Sequence, residues 1–233
     1  MANGLNGKTA IVTGSSRGIG AAIAQHLAAQ QASVVVNYVN RKAEAESVVG
    51  KITAAGGRAV SVHADVSKAA GAKMLFDAAE AQYGPVDILV NNAGLILYKP
   101  LAAVTEEEYD RLFAVNVKGT FHTCKLAATR LNNDGAIVNF SSSTTAMMLP
   151  TYSIYVATKG AVEQMSRVFA KEMGARKIRV NVVSPGPTDT ELFSTGKTEE
   201  DIQRLASLSA FGRLGTPDDI AKVVTWLVSD EAA

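Results

Sequence analysis

The chain has 233 residues, 47% of them hydrophobic and 19% charged, with a formal net charge of +1. That hydrophobic share supports a substantial core and excludes a disordered polypeptide. The near-neutral balance gives no preference for nucleic acid or a membrane surface, so neither is expected as a partner, and the single cysteine, Cys124, excludes an intrachain disulfide. No apolar run approaches the roughly 20 residues of a spanning helix. Met1–Lys8 has no apolar signal core, so a soluble, cytoplasmic protein is expected.

In chain order, runs rich in β-branched residues predict strands over residues 9–13, 33–38, 59–63, 86–90, 136–140 and 178–183. Helical spacing fills the intervals at 18–31, 41–55, 68–83, 106–130, 153–175 and 218–228. Strict alternation with continuously apolar strands predicts an α/β fold: a doubly wound parallel sheet in a single domain over residues 1–233. The ligand crevice of such a sheet lies at the carboxyl ends of its strands. Local punctuation agrees. Thr105 and Glu108 have the spacing of a capping box, Thr216-Pro217 opens a helix, and Gly84-Pro85 and Asn132–Gly135 carry turn signals.

The first strand runs into Gly14-Ser15-Ser16-Arg17-Gly18-Ile19-Gly20, followed by a helix. Gly14 permits a tight turn, Gly18 lets a ligand approach the backbone, and Gly20 lets the helix pack against the sheet. The free N–H groups of the helix start then face a pyrophosphate. A glycine turn used only for packing is the bland alternative, and its place in the first strand–turn–helix unit favours nucleotide binding. The second strand ends Asn37-Tyr38-Val39-Asn40-Arg41-Lys42, with no acid before Glu44. An acid there would bind the ribose hydroxyls of NAD; Arg17, Arg41 and Lys42 instead suit a 2′-phosphate, which predicts NADP(H). The bland alternative is that Arg41 and Lys42 are solvated residues at a helix start and that Asn37 accepts either cofactor.

Tyr155 and Lys159 lie at i and i+4 and share one helix face. A nearby ammonium favours the phenolate and would bring the tyrosine toward acid–base work. Such pairs also arise by chance. Upstream, the strand over 136–140 delivers Ser141-Ser142-Ser143 to the crevice, where a hydroxyl can meet a substrate oxygen or simply cap the next segment.

With these elements in place, the chain resembles the short-chain dehydrogenase/reductase family over nearly its whole length. The matching stretches are Thr13–Gly20, Ala64-Asp65-Val66, Asn91-Asn92-Ala93-Gly94, Asn116, Ser142, and Tyr155 with Lys159. Asn181, Pro185, Gly186, Thr188 and Thr190 resemble the segment that holds the nicotinamide end. The resemblance implies a Rossmann-type fold, Tyr155 as acid/base, and Lys159 lowering its pKa and holding the nicotinamide ribose. Ser142 would orient the carbonyl, and Asn116 would hold a water that relays protons to Lys159. The implied cofactor contacts are Gly14, Ser16, Arg17, Gly18, Ile19, Gly20, Asn37, Tyr38, Asn40, Arg41, Asp65, Val66, Asn92, Ala93, Gly94, Tyr155, Lys159, Pro185, Gly186, Thr188 and Thr190. Within the family the look is nearest to bacterial 3-oxoacyl-(acyl-carrier-protein) reductases and similar carbonyl reductases. That implies a homodimer or homotetramer paired through the helices at 106–130 and 153–175. Family members usually add a loop, a last strand and a VDGG-like end after the segment resembling Trp226–Ala233, so the sheet is expected to lack that strand.

His26, His63 and His122 have no metal-ligand spacing, so no metal is expected. Met147 and Met148 line a substrate pocket or pack a loop. Residues 191–211 mix polar and apolar side chains just past the nicotinamide segment, which predicts a lid over about 188–212. The leading functional expectation is NADPH-dependent reduction of a ketone or 3-oxoacyl substrate, free or carried on acyl carrier protein. A sugar or polyol dehydrogenase working oxidatively is the second, and a non-catalytic nucleotide-sensing protein the third.

Overall fold

Six β-branched segments pair in parallel in a computed structural model that describes residues 4–233. The strands are β1 (Thr9–Val12), β2 (Ser33–Tyr38), β3 (Arg58–His63), β4 (Val86–Asn91), β5 (Leu131–Phe140) and β6 (Arg179–Val183). Their order across the sheet is β3-β2-β1-β4-β5-β6. The order reverses between β1 and β4, which opens a crevice at their carboxyl ends.

Strand periodicity sorts the core into two layers. Ala10, Val12, Val34, Val36, Ile88, Val90, Ala136 and Val138 face one side, against α1 (Gly18–Ala29), α2 (Lys42–Ala54) and the late helix Pro217–Val228. Ile11, Val35, Leu89 and Ile137 face the other, against α3 (Ala69–Tyr83) and the helices that follow β4 and β5. Both faces are covered, which explains why the middles of the central strands, such as Ala10–Val12, Val34–Val36 and Ile88–Val90, are apolar at consecutive positions.

The expected helix over 106–130 divides. α4 (Glu106–Phe113) opens with the anticipated capping box, Thr105 Oγ1 accepting from Glu108 N and Glu108 Oε2 from Thr105 N. Residues Ala114–Lys118 then widen into a π turn before α5 (Gly119–Arg130) resumes. The expected turn at 132–135 is a bulge within β5, where the register against β4 shifts between Val86 and Ile88. A short α6 (Thr144–Met147) follows the serine run, and α7 (Ser153–Glu172) carries the tyrosine and lysine. The stretch expected to be a lid holds two further helices, α8 (Glu191–Ser194) and α9 (Glu199–Ser207), before α10 (Pro217–Val228). Leu205 and Ala206 of α9 are buried, whereas Leu208 and Phe211 beyond it are exposed. The helix start at Thr216-Pro217 is observed, with a second capping box to Asp219. No helix among the described residues is long and apolar enough to cross a membrane.

Candidate active site

Two adjoining cavities lie at the carboxyl ends of the strands. The larger, of about 550 Å³, is lined by Gly14, Ser16, Arg17, Gly18, Ile19, Gly20, Asn37, Tyr38, Asn40, Arg41, Asp65, Val66, Asn92, Ala93, Gly94 and Thr190. The smaller, of about 140 Å³, takes in Ser142, Tyr155, Lys159, Pro185, Gly186 and Thr188. Ile19, Asn92, Gly94, Leu95, Thr190 and Leu192 line both and form the passage between them. Asn116 lies behind that passage. Asn181 pairs with Val138 inside β6 and lines neither cavity.

The glycine turn is built for close approach. Gly14 has φ +60°, and a Cβ there would sit 2.8 Å from Ala93 Cα. A Cβ on Gly20 would lie 2.6 Å from Gly14 O. The first turn of α1 carries no capping side chain and no acid, so its N–H groups and positive dipole end face the cavity. Thr13 and Asn92 fasten the turn to the loop after β4. Thr13 Oγ1 accepts from Asn92 N and Ala93 N, both at 3.0 Å, while Asn92 Nδ2 donates to Thr13 O and Gly14 O, again at 3.0 Å. Asn37 is a scaffold of the same kind. Its Oδ1 accepts from Gly14 N at 3.0 Å and its Nδ2 donates to Ala64 O at 2.9 Å. Asp65 turns inward to accept from Ser67 N and Ser67 Oγ. A rigid backbone cradle, an uncapped helix start and two arginines make a fit for a dinucleotide carrying an extra phosphate.

Arg17 and Arg41 are brought together by a residue the sequence did not single out. Glu191, at the start of α8, forms an ion pair with Arg17 and another with Arg41, the latter at 2.8 Å. Arg41 also reaches Glu44 at 3.1 Å.

In the smaller cavity the tyrosine and lysine meet as their spacing foretold, with Lys159 Nζ 5.6 Å from the Tyr155 ring centre. Both are buried. Lys159 donates to Phe140 O at 3.0 Å. Burial pushes its ammonium down to about 8. The expected lowering of the phenol is not what the surrounding protein produces. Burial pushes the Tyr155 hydroxyl above its ordinary value, and the Ser142 hydroxyl beside it only partly opposes the shift. The neighbouring Tyr152 adds to the upward shift, and Lys159 donates to the Phe140 carbonyl.

Asn116 sits in the π turn and its side chain is fully engaged. Its Oδ1 accepts from Leu95 N at 2.8 Å, and its Nδ2 donates to Leu95 O at 2.9 Å and Thr158 Oγ1 at 3.0 Å. It therefore locks the loop after Gly94 against α7, one residue from Lys159.

Two further features were missed. Glu163 lies two helical turns beyond Tyr155 on the same face of α7. Its Oε1 accepts from Ser141 Oγ at 2.5 Å and Thr145 Oγ1 at 3.0 Å, which grips the loop on both sides of Ser142. Beneath the site, a buried relay links four elements. Thr123 Oγ1 donates to Asn91 Oδ1, Asn91 Nδ2 to Asn139 Oδ1, and Asn139 Nδ2 to Ser166 Oγ, at 2.7–2.8 Å. Periodicity from Tyr155 through Lys159 points to Glu163; nothing local points to Glu191 or the relay. Of the histidines, His122 Nδ1 contacts Val66 O at 3.0 Å, His63 packs on Tyr38, and His26 contacts Asp218.

A family model described as enoyl-(acyl carrier protein) reductase matches residues 14–233. An oxidoreductase of Methylorubrum extorquens is 49% identical over 230 residues, covering 98% of this chain and 93% of its own. The NADPH-dependent aldehyde reductase-like chloroplastic protein of Arabidopsis thaliana is 43% identical over 240 residues, covering 97% and 89%. Among solved structures, the angucycline C-6 ketoreductase LanV with bound NADP superposes with a TM-score of 0.93 at 38% identity, covering 100% and 92%. A Serratia marcescens short-chain dehydrogenase/reductase gives 0.93 at 35%, covering 98% and 93%. The chain belongs to the short-chain dehydrogenase/reductase family and is an oxidoreductase acting on CH–OH or C=O groups.

Proposed function

We propose that this chain is an NADPH-dependent reductase of a ketone, with Tyr155 as its acid/base group. The observation that carries the proposal is the junction of the two cavities at Ile19, Asn92, Gly94, Leu95, Thr190 and Leu192, with Tyr155 in the wall of the smaller one. The larger has the shape and cations for a dinucleotide with a 2′-phosphate, and the smaller holds Ser142 and Tyr155 in an apolar surround. The bound nicotinamide supplies the hydride. Ser142 holds the substrate oxygen, and Tyr155, kept protonated by burial, gives it a proton as charge develops there. Lys159 holds the nicotinamide ribose and, with an ammonium near 8, returns a proton to Tyr155. Asn116 keeps the loop at Gly94 and Leu95 in register with α7 so that Lys159 is correctly placed.

The pocket walls favour a hydrophobic, partly aromatic substrate. Ile96, Met147, Leu149, Phe193 and Leu205 line it together with Tyr98 and Tyr152, whose rings meet edge to face at 5.0 Å. A polyol would strand its hydroxyls against these walls, which counts against the sugar dehydrogenase reading. LanV, a C-6 ketoreductase, supports the same reading by its similarity. Residues 188–212 act as the lid in this reading, since α8 and α9 supply Leu192, Phe193 and Leu205 to the pocket. Exposed Phe121 and Val168 on α5 and α7 are the faces through which copies would pair as a homodimer or homotetramer. The test is a panel of aromatic ketones, 3-oxoacyl thioesters and sugars with NADPH or NADH. Turnover of ketones with NADPH is expected; exclusive oxidation of polyols would overturn the reading.

A further inference from the structure

Glu191 lies in the wall of the larger cavity and pairs with both arginines assigned above to a 2′-phosphate. Arg17 holds its carboxyl below the usual carboxylate range, so it is an anion at neutral pH. Arg17 and Arg41 carry two positive charges, and Glu44 and Glu191 carry two negative ones. With Glu191 in place the cluster is neutral, and with Glu191 withdrawn it is cationic. Lys42 adds little, since it faces Glu46 at 3.6 Å. A phosphate therefore gains the full attraction of this site only by displacing the carboxylate. The displacement is cheap, because all three side chains are substantially solvent-exposed and exposed ion pairs are individually weak.

We infer that Glu191 is a cofactor-specificity residue, an internal anion on Arg17 and Arg41 that competes with the 2′-phosphate and so limits the preference for NADPH over NADH. The inference rests on the NADPH reading above. It reaches further, because α8 places Glu191 on the cations and its next two residues, Leu192 and Phe193, in the substrate pocket.

The test is calorimetric titration of the wild type and Glu191→Gln with NADPH, NADH, adenosine 2′,5′-bisphosphate and AMP. The variant should bind NADPH and the bisphosphate about fivefold more tightly, a size set by the loss of exposed ion pairs. NADH and AMP should change by less than about twofold on the same basis. Unchanged or weaker binding of the bisphosphate would overturn the inference. So would a matching loss of NADH affinity, which would make Glu191 a ribose partner. The cofactor reading is tested separately by the wild-type ratio of NADPH to NADH affinity, which does not involve the variant.

Discussion

Tyr155, Lys159 and Glu163 sit one turn apart on one face of α7, and each answers to a different constraint. Lys159 is a buried cation whose proton is held less tightly in the folded protein than in the unfolded chain. Its charge therefore costs stability at neutral pH. As pH rises from about 8 through the ordinary 10.5, the unfolded chain holds the extra proton and stability rises. Lys159→Met should thus be inactive yet more stable at pH 7, by about 1–2 kcal/mol. That gain should shrink in denaturant titrations run toward pH 10.5. Glu163→Ala frees Ser141 and Thr145 and should lower kcat about tenfold with little change in KM, because a loosened Ser142 acts in the transition state. Glu163→Gln, which keeps an acceptor, should recover most of the loss. The pairing of Tyr155 with Lys159 was legible as residue types at fixed spacing, and Ser142 was set apart from its neighbours only by the family resemblance. The direction of the Tyr155 shift was not legible, because it depends on burial and on the tertiary placement of Ser142 and Tyr152 around the hydroxyl.

Elements with their own signals were readable, and elements made by tertiary contact were not. Strands β1, β2 and β4 announced themselves by short runs rich in β-branched residues, and α4 and α10 by their capping residues. The π turn at Ala114–Lys118 has no local signature; it exists where Asn116 must reach Leu95 and Thr158 at once. α8 and α9 are short, and their burial depends on the pocket they cover. The relay of Thr123, Asn91, Asn139 and Ser166 joins β4, β5, α5 and α7, whose residues lie far apart in sequence. Asn139→Ala should cost about 2–3 kcal/mol in urea unfolding, since it leaves buried partners unpaired. Thr216→Ala removes only a cap from α10 and should cost about 1 kcal/mol in the same assay.

At the scale of the molecule, the doubly wound parallel sheet and its crevice followed from strand–helix alternation, and the glycine turn pointed to the cofactor end, whereas the strand order β3-β2-β1-β4-β5-β6 came only with the structure. The junction of the two cavities could not be read, because it is formed by Ile19, Gly94, Thr190 and Leu192 from three separate segments. Exposed apolar residues on α5 and α7 lead to a further expectation: light scattering should give the mass of a dimer or tetramer, and a strictly monomeric species would contradict the proposed pairing. The most direct measurement for the account as a whole is turnover of an accepted ketone by Tyr155→Phe, with NADPH affinity measured alongside. A fall of about a hundredfold or more with cofactor binding unchanged is the predicted result. Near wild-type turnover would show that the proton reaches the substrate by another route and would contradict the central claim.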